Sequence, residues 1–273
     1  MGRNTLIIAL CSLLLAACGG ISADINRLSD RFEPLGFAVD QKQYGRFKLR
    51  EAARQGAPNG PVWIVYAGDG VAWLDTWTPS PDPTPSPKNM PSISVAQAIA
   101  KQFATDTVIH LSRPCQFLTS NAQDCGTRYW TRDRFGDDVR NAYHAHATQF
   151  DGRPVIFVGW SGGGVLAAHM AHIRAMHNRQ TGALTLASPL DLTAWTQWHR
   201  VSALPQADNP AQFLPLVIPH SHAVGSNDKI VPPETVSHLP NQFIVPIDHH
   251  GPWHEIAIQA APSLRAAVIA AQP

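Results

Sequence analysis

Short apolar runs punctuate the chain, separated by stretches in which apolar positions recur at three- and four-residue spacing. Pro61-Val62-Trp63-Ile64-Val65-Tyr66 stops at Ala67-Gly68-Asp69-Gly70, and further runs cover residues 107–111, 154–158, 183–187, 214–218 and 243–246. Apolar runs of this length, bounded by glycine, suit strands buried on both faces. A weaker strand is expected over 47–50. Helical spacing covers 95–103, 137–149, 164–178 and 257–271, and in the third of these Val165, Leu166, Met170 and Ile173 form an apolar surface. Strand and helix alternate through most of the chain. That order predicts the α/β class, a mostly parallel central sheet with helices on both faces and right-handed crossovers.

Two segments stand outside the alternation. Arg3 precedes an apolar run over 6–15, shorter than the roughly 20 residues a membrane-spanning helix needs, which reads as a secretory signal. The run ends in Leu15-Ala16-Ala17-Cys18, which resembles the bacterial lipobox, and Gly19 rather than Asp follows it. This resemblance implies cleavage after residue 17, acylation of Cys18 and a lipoprotein on the periplasmic side of the cell envelope, held at the outer membrane. An ordinary signal with a chance cysteine is the alternative. The second segment, 78–91, carries Pro79, Pro81, Pro83, Pro85, Pro87 and Pro91 and can be neither helix nor central strand. It lies where it would cross the carboxyl edge of the sheet, as a lid or as a solvated insertion, and the latter is the expectation. The expected organisation is a signal over 1–17, a polar lead-in over 18–44 and a single domain over 45–273.

Composition narrows the function. Charged residues make up 15% and apolar residues 44% of the 273, so a large core is available. The net charge is +1, and removal of 1–17 takes away Arg3 and no acid, leaving a neutral body with no field for gathering phosphates. Nucleic acid is therefore not an expected partner. Two of the four cysteines fall in the leader, and Cys115 and Cys125 remain as an expected disulfide in an oxidising compartment. A nucleophilic cysteine there would lack the helix-start setting that lowers a thiol pKa.

Chemistry concentrates in three places. Gly159-Trp160-Ser161-Gly162-Gly163 fits G-x-S-x-G between an expected strand and an expected helix, the setting in which a serine is presented on a sharp turn with small neighbours. Its hydroxyl needs a base, and the base an orienting acid. In this architecture the acid and then the histidine follow the serine on turns after later strands, which points to Asp228 and to the pair His249-His250.

Together, the Gly159–Gly163 turn, the Gly-x-x-Asp-x-x-Val-Pro stretch around Asp228 and His250-Gly251 resemble the α/β-hydrolase superfamily, over the chain from about Pro61 onward. Arg113-Pro114-Cys115-Gln116 and Gly68-Asp69-Gly70 further resemble a group of secreted bacterial hydrolases. The resemblance implies Ser161 as nucleophile, His250 as base and Asp228 as acid, with His249 and Asp191 as their rivals. It implies an oxyanion hole from Gly162 N–H and from Asp69 or Gly70 in the early loop, where Ala67 stands in place of a histidine. The Asp69 carboxylate is expected to turn away and bond to its own loop. The expected activity is that of a serine hydrolase acting on a small carboxylic ester or acyl substrate, without cofactor. An inactive hydrolase fold that binds an envelope partner is the competing reading. His144, His146, His169, His172, His220 and His222 lack accompanying carboxylates at ligand spacing, so no metal is expected. Trp73, Trp77 and Trp253 fall near site loops, where stacking on sugar is a weaker thought than core packing.

Overall fold

The computed structural model describes residues 28–75, 77–86, 89–118 and 125–271. Eight strands form one sheet: β1 (Ala38–Tyr44), β2 (Phe47–Arg54), β3 (Val62–Tyr66), β4 (Thr107–Leu111), β5 (Val155–Trp160), β6 (Thr181–Leu186), β7 (His220–Gly225) and β8 (Gln242–Val245). Their spatial order is β1-β2-β4-β3-β5-β6-β7-β8. β1, β2 and β4 pair antiparallel, and every pair from β4 to β8 is parallel.

Every residue of β3, β4, β5 and β6 is buried, so these strands carry apolar side chains on both faces. Successive side chains alternate sides, and two separate cores follow from that alternation. Trp63, Val65, Ile156 and Val158 point to one face, where α1 (Pro91–Gln102) and α5 (Trp253–Ala270) supply Val95, Ile99, Trp253 and Leu264. Val62, Ile64, Val155 and Phe157 point to the other, against Val139 and Tyr143 of α2 (Asp137–Ala147) and Val165, Leu166 and Met170 of α3 (Gly162–Met176). A half-buried ion pair ties the first layer to the sheet: Arg265 of α5 donates twice to the buried Asp106, at 2.6 and 2.8 Å, and Asp106 also accepts from the Trp63 indole.

Three sequence expectations change. The polar stretch over 18–44 contains β1 and a helical turn over 28–32, and Leu28, Phe32 and Phe37 are buried in the first core. β1 lacks an apolar run in the sequence because its exposed edge carries Asp40 and Lys42, the charged residues that keep an edge strand from pairing further. The run over 214–218 is not a strand. Pro215 and Pro219 lack the N–H a ladder needs, Val217 is 94% exposed, and the strand forms one step later, in the polar-looking β7. The expected strand over 47–50 extends to Arg54. Cys18 and the rest of the proposed signal lie outside the described residues.

Several histidines are part of the core. His110 in β4 meets Ser92 of α1, and His222 in β7 meets Thr185 of β6. Burial lowers the pKa of each to about 3, and burial with nearby Arg140 lowers that of His169 to about 4. An unfolded chain titrates these rings near 6.5. Below that pH the unfolded state binds protons that the folded state refuses, so their contribution to stability is complete above about 6.5 and is lost progressively as pH falls toward 4. Urea midpoints should therefore fall steadily from pH 7 to pH 4; a constant midpoint would show that these rings are not held neutral.

Candidate active site

Ser161 stands between β5 and α3 with φ 55° and ψ −131°. A non-glycine residue with positive φ is strained, and the strain persists because the surroundings over-determine it. Ser161 N–H donates to Leu186 at 2.9 Å, and the Ser161 carbonyl accepts from Gly164 N–H at 2.9 Å, opening the helix. The flanking glycines are there for space. A Cβ on Gly159 would come within 2.3 Å of the Gly163 carbonyl, and one on Gly163 within 2.4 and 2.6 Å of the Tyr66 and Ala67 carbonyls.

Asp228 stands on the turn after β7. Asp228 is buried, and its Oδ1 accepts the Ile230 and Val231 N–H groups at 2.8 Å each, leaving Oδ2 for an imidazole. That imidazole is His249, not His250. Its Nδ1 lies 2.8 Å from Asp228 Oδ2 and its Nε2 3.0 Å from Ser161 Oγ. The reason is where the turn after β8 is pinned. The His249 carbonyl accepts two indole N–H groups, from Trp160 at 3.0 Å and Trp253 at 2.9 Å, which fix that residue over the serine. His250 is exposed, its N–H donates to Asp248, and its ring lies tilted against Trp160. The turns that bear Asp228 and His249 are also joined to each other: Ser226 and Asn227 N–H donate to the Val245 and Ile247 carbonyls.

Asp191, the rival acid, has another task. Its Oδ1 caps the helix α4 (Leu192–Trp198) through Thr193 and Ala194 N–H, and Oδ2 meets His238 at 3.0 Å. It is an N-cap.

The early loop borders the serine directly. A Cβ on Gly68 would sit 3.3 Å from Ser161 Cβ, and one on Gly162 would sit 2.2 Å from Asp69 Oδ1. The Asp69 carboxylate thus lies against Gly162 rather than bonding to its own loop. Two arginines hold it: Arg113 Nη2 at 3.3 Å and Arg134 Nε at 3.4 Å, both side chains buried. Arg113 in turn donates to the Arg134 carbonyl, and the Arg134 guanidinium packs over the Trp195 ring. A carboxylate beside a site that develops negative charge is tolerable when two cations neutralise it. No signal in the sequence announced these partners, which come from distant segments.

The proline-rich segment also differs from its expected solvated character. Pro83 and Pro85 are buried, the Pro83 carbonyl accepts Val71 N–H, and a Cβ on Gly70 would collide with that carbonyl at 2.2 Å. Trp130 donates to the Ser80 carbonyl. The segment is a buttress for the Gly68–Gly70 turn. Trp73 and Trp77 are exposed beside it, whereas Trp253 is core. Cys115 and Cys125 are disulfide-bonded.

No protein-family model matches the sequence, and no curated protein matches it either. Solved structures do. An esterase from Pyrococcus furiosus is similar over 85% of this chain and 92% of its own, with TM-score 0.57 and 10% identity. A proline iminopeptidase from Mycobacterium smegmatis is similar over 85% and 99%, with TM-score 0.54 and 13% identity. An α/β serine hydrolase homologue from Coxiella burnetii is similar over 84% and 96%, with TM-score 0.52 and 12% identity. With the mostly parallel sheet, these likenesses establish the α/β-hydrolase fold.

The spacing at the turn yields a test. Gly163→Ala drives a methyl group into two backbone carbonyls that cannot rotate away, and should cost about 1–3 kcal/mol of stability, the usual penalty of overpacking. Thermal melting of the purified variant measures it, and an unchanged midpoint would contradict the close approach.

Proposed function

We propose that the protein is a serine hydrolase that cleaves carboxylic esters through a covalent acyl-enzyme. The observation that carries this is the continuous chain from Asp228 through His249 to the strained Ser161, with links of 2.8 and 3.0 Å. His249 Nε2 takes the Ser161 proton as Oγ bonds to the ester carbon. Asp228 accepts the Nδ1 proton, holding the tautomer that leaves Nε2 free and stabilising the imidazolium that forms. The carbonyl electrons move onto oxygen, and Gly162 and Asp69 N–H receive that oxyanion. Collapse of the intermediate breaks the C–O bond, and the proton on His249 passes to the departing alcohol. Water then enters the same cycle and releases the acid. Esters are preferred to amides because their leaving groups demand less of the acid.

The same reading puts the enzyme on the periplasmic side of the envelope, tethered to the outer membrane through acylated Cys18, with the Cys115–Cys125 bridge suited to an oxidising compartment.

A fluorophosphonate probe should label the protein, and labelling should vanish in Ser161→Ala. A folded protein that resists the probe would favour the inactive binder instead. Turnover of 4-nitrophenyl acetate should fall by about 10³–10⁴ in Asp228→Asn and at least as far in His249→Ala, while His250→Ala should stay within about threefold, as expected of a ring outside the proton path. The reverse ranking of the two histidines would give the base role to His250.

A further inference from the structure

Peptide orientation in the early loop is set by a side chain the proposed chemistry does not use. Gln116 is completely buried. Its Oε1 accepts Arg113 N–H at 3.1 Å, a group that can only donate, so the amide is forced to turn its Nε2 toward the Gly68 carbonyl, which it meets at 3.2 Å. The Gly68–Asp69 peptide is trans, since the cis bond among the described residues is Leu214–Pro215. In a trans peptide the C=O and N–H vectors point to opposite sides. A carbonyl held by Gln116 therefore directs the Asp69 N–H away from Gln116, and that N–H donates to no other group among the described residues. Residues 68 and 69 abut Ser161 and Gly162.

The turn bearing Gln116 is itself tightly held. Cys115 and Phe117 flank it with φ of 71° and 56°, Cys115 is bridged to Cys125, and Phe117 N–H donates to Thr84 of the proline-rich segment. Glycine at 68 frees one of the two torsions about which this peptide would flip in the absence of such a clamp. From this geometry we infer that Gln116 is a positioning residue for the oxyanion hole: through the Gly68 carbonyl it aims the Asp69 N–H at the oxyanion on the carbon to which Ser161 bonds. The inference rests on the serine hydrolase reading and adds to it a residue that never touches substrate.

The experiment compares wild type with Gln116→Leu, which removes the donor, and with the nearly isosteric Gln116→Glu, which sets an acceptor against a carbonyl. Melting temperatures come first, and if the leucine variant does not fold, the glutamate variant carries the test. Each is assayed for kcat and KM on 4-nitrophenyl acetate and for inhibition by phenylboronic acid, whose serine adduct places a tetrahedral oxygen in the hole. The expected result is a fall in kcat of about 10- to 100-fold, somewhat less than deletion of an oxyanion donor. KM should stay within about twofold, and the boronate inhibition constant should rise by the same factor as kcat/KM falls. A merely structural role would lower the melting temperature without this parallel. A folded variant with unchanged kcat, or a raised KM at constant kcat, overturns the role of Gln116 while the hydrolase reading stands. A wild-type protein that neither reacts with fluorophosphonate nor turns over ester overturns both.

Discussion

Everything at the site follows from how closely the start of α3 approaches the ends of β3 and β5. Main chain lies against main chain there, with no side chain between Gly163 and the Tyr66 and Ala67 carbonyls. That contact bends the chain hard enough to hold Ser161 at φ 55°, and it brings the loop after β3 alongside the hydroxyl. The strain at the serine is balanced by the cores on both faces of the sheet, since no local interaction would hold such a turn in isolation.

Around this fixed point the remaining groups come from well-separated parts of the chain and are secured by main-chain bonds. Asp228 is oriented by two N–H groups of its own turn, and His249 by two indoles that grip its carbonyl. Backbone bonds between the turns after β7 and β8 keep acid and base in register. The loop after β3 is bounded by Arg113 and Arg134, by Gln116 and by Pro83. Rigid anchoring of this kind is what the proposed electrostatic catalysis would demand, because donors that must reorient during reaction give up most of their benefit.

How much of this could be read from the sequence depended on how local each cause is. The serine turn was legible because its small residues, the apolar run before it and the helix after it lie in one continuous stretch. Asp228 is legible by its position on a late turn, although the apolar run over 214–218 points to a strand one step before the actual His220–Gly225. Choosing between adjacent histidines was not possible from spacing, since the decision belongs to Trp160 and Trp253, remote from each other in the chain. The grip of two arginines on Asp69 is equally hidden, and so is β1, a mostly polar strand of which Tyr44 is the buried residue.

The burial of Leu28 and Phe32 beneath the sheet limits how far the folded body could stand from an anchor at Cys18. If Cys18 bears the lipid, ten residues join the acyl anchor to a side chain already locked in the core, and a chain of that size reaches no more than about 35 Å even when drawn straight. The body would then patrol a shallow layer at the membrane surface, meeting molecules that dwell in or near the bilayer far more often than those dispersed through the periplasm.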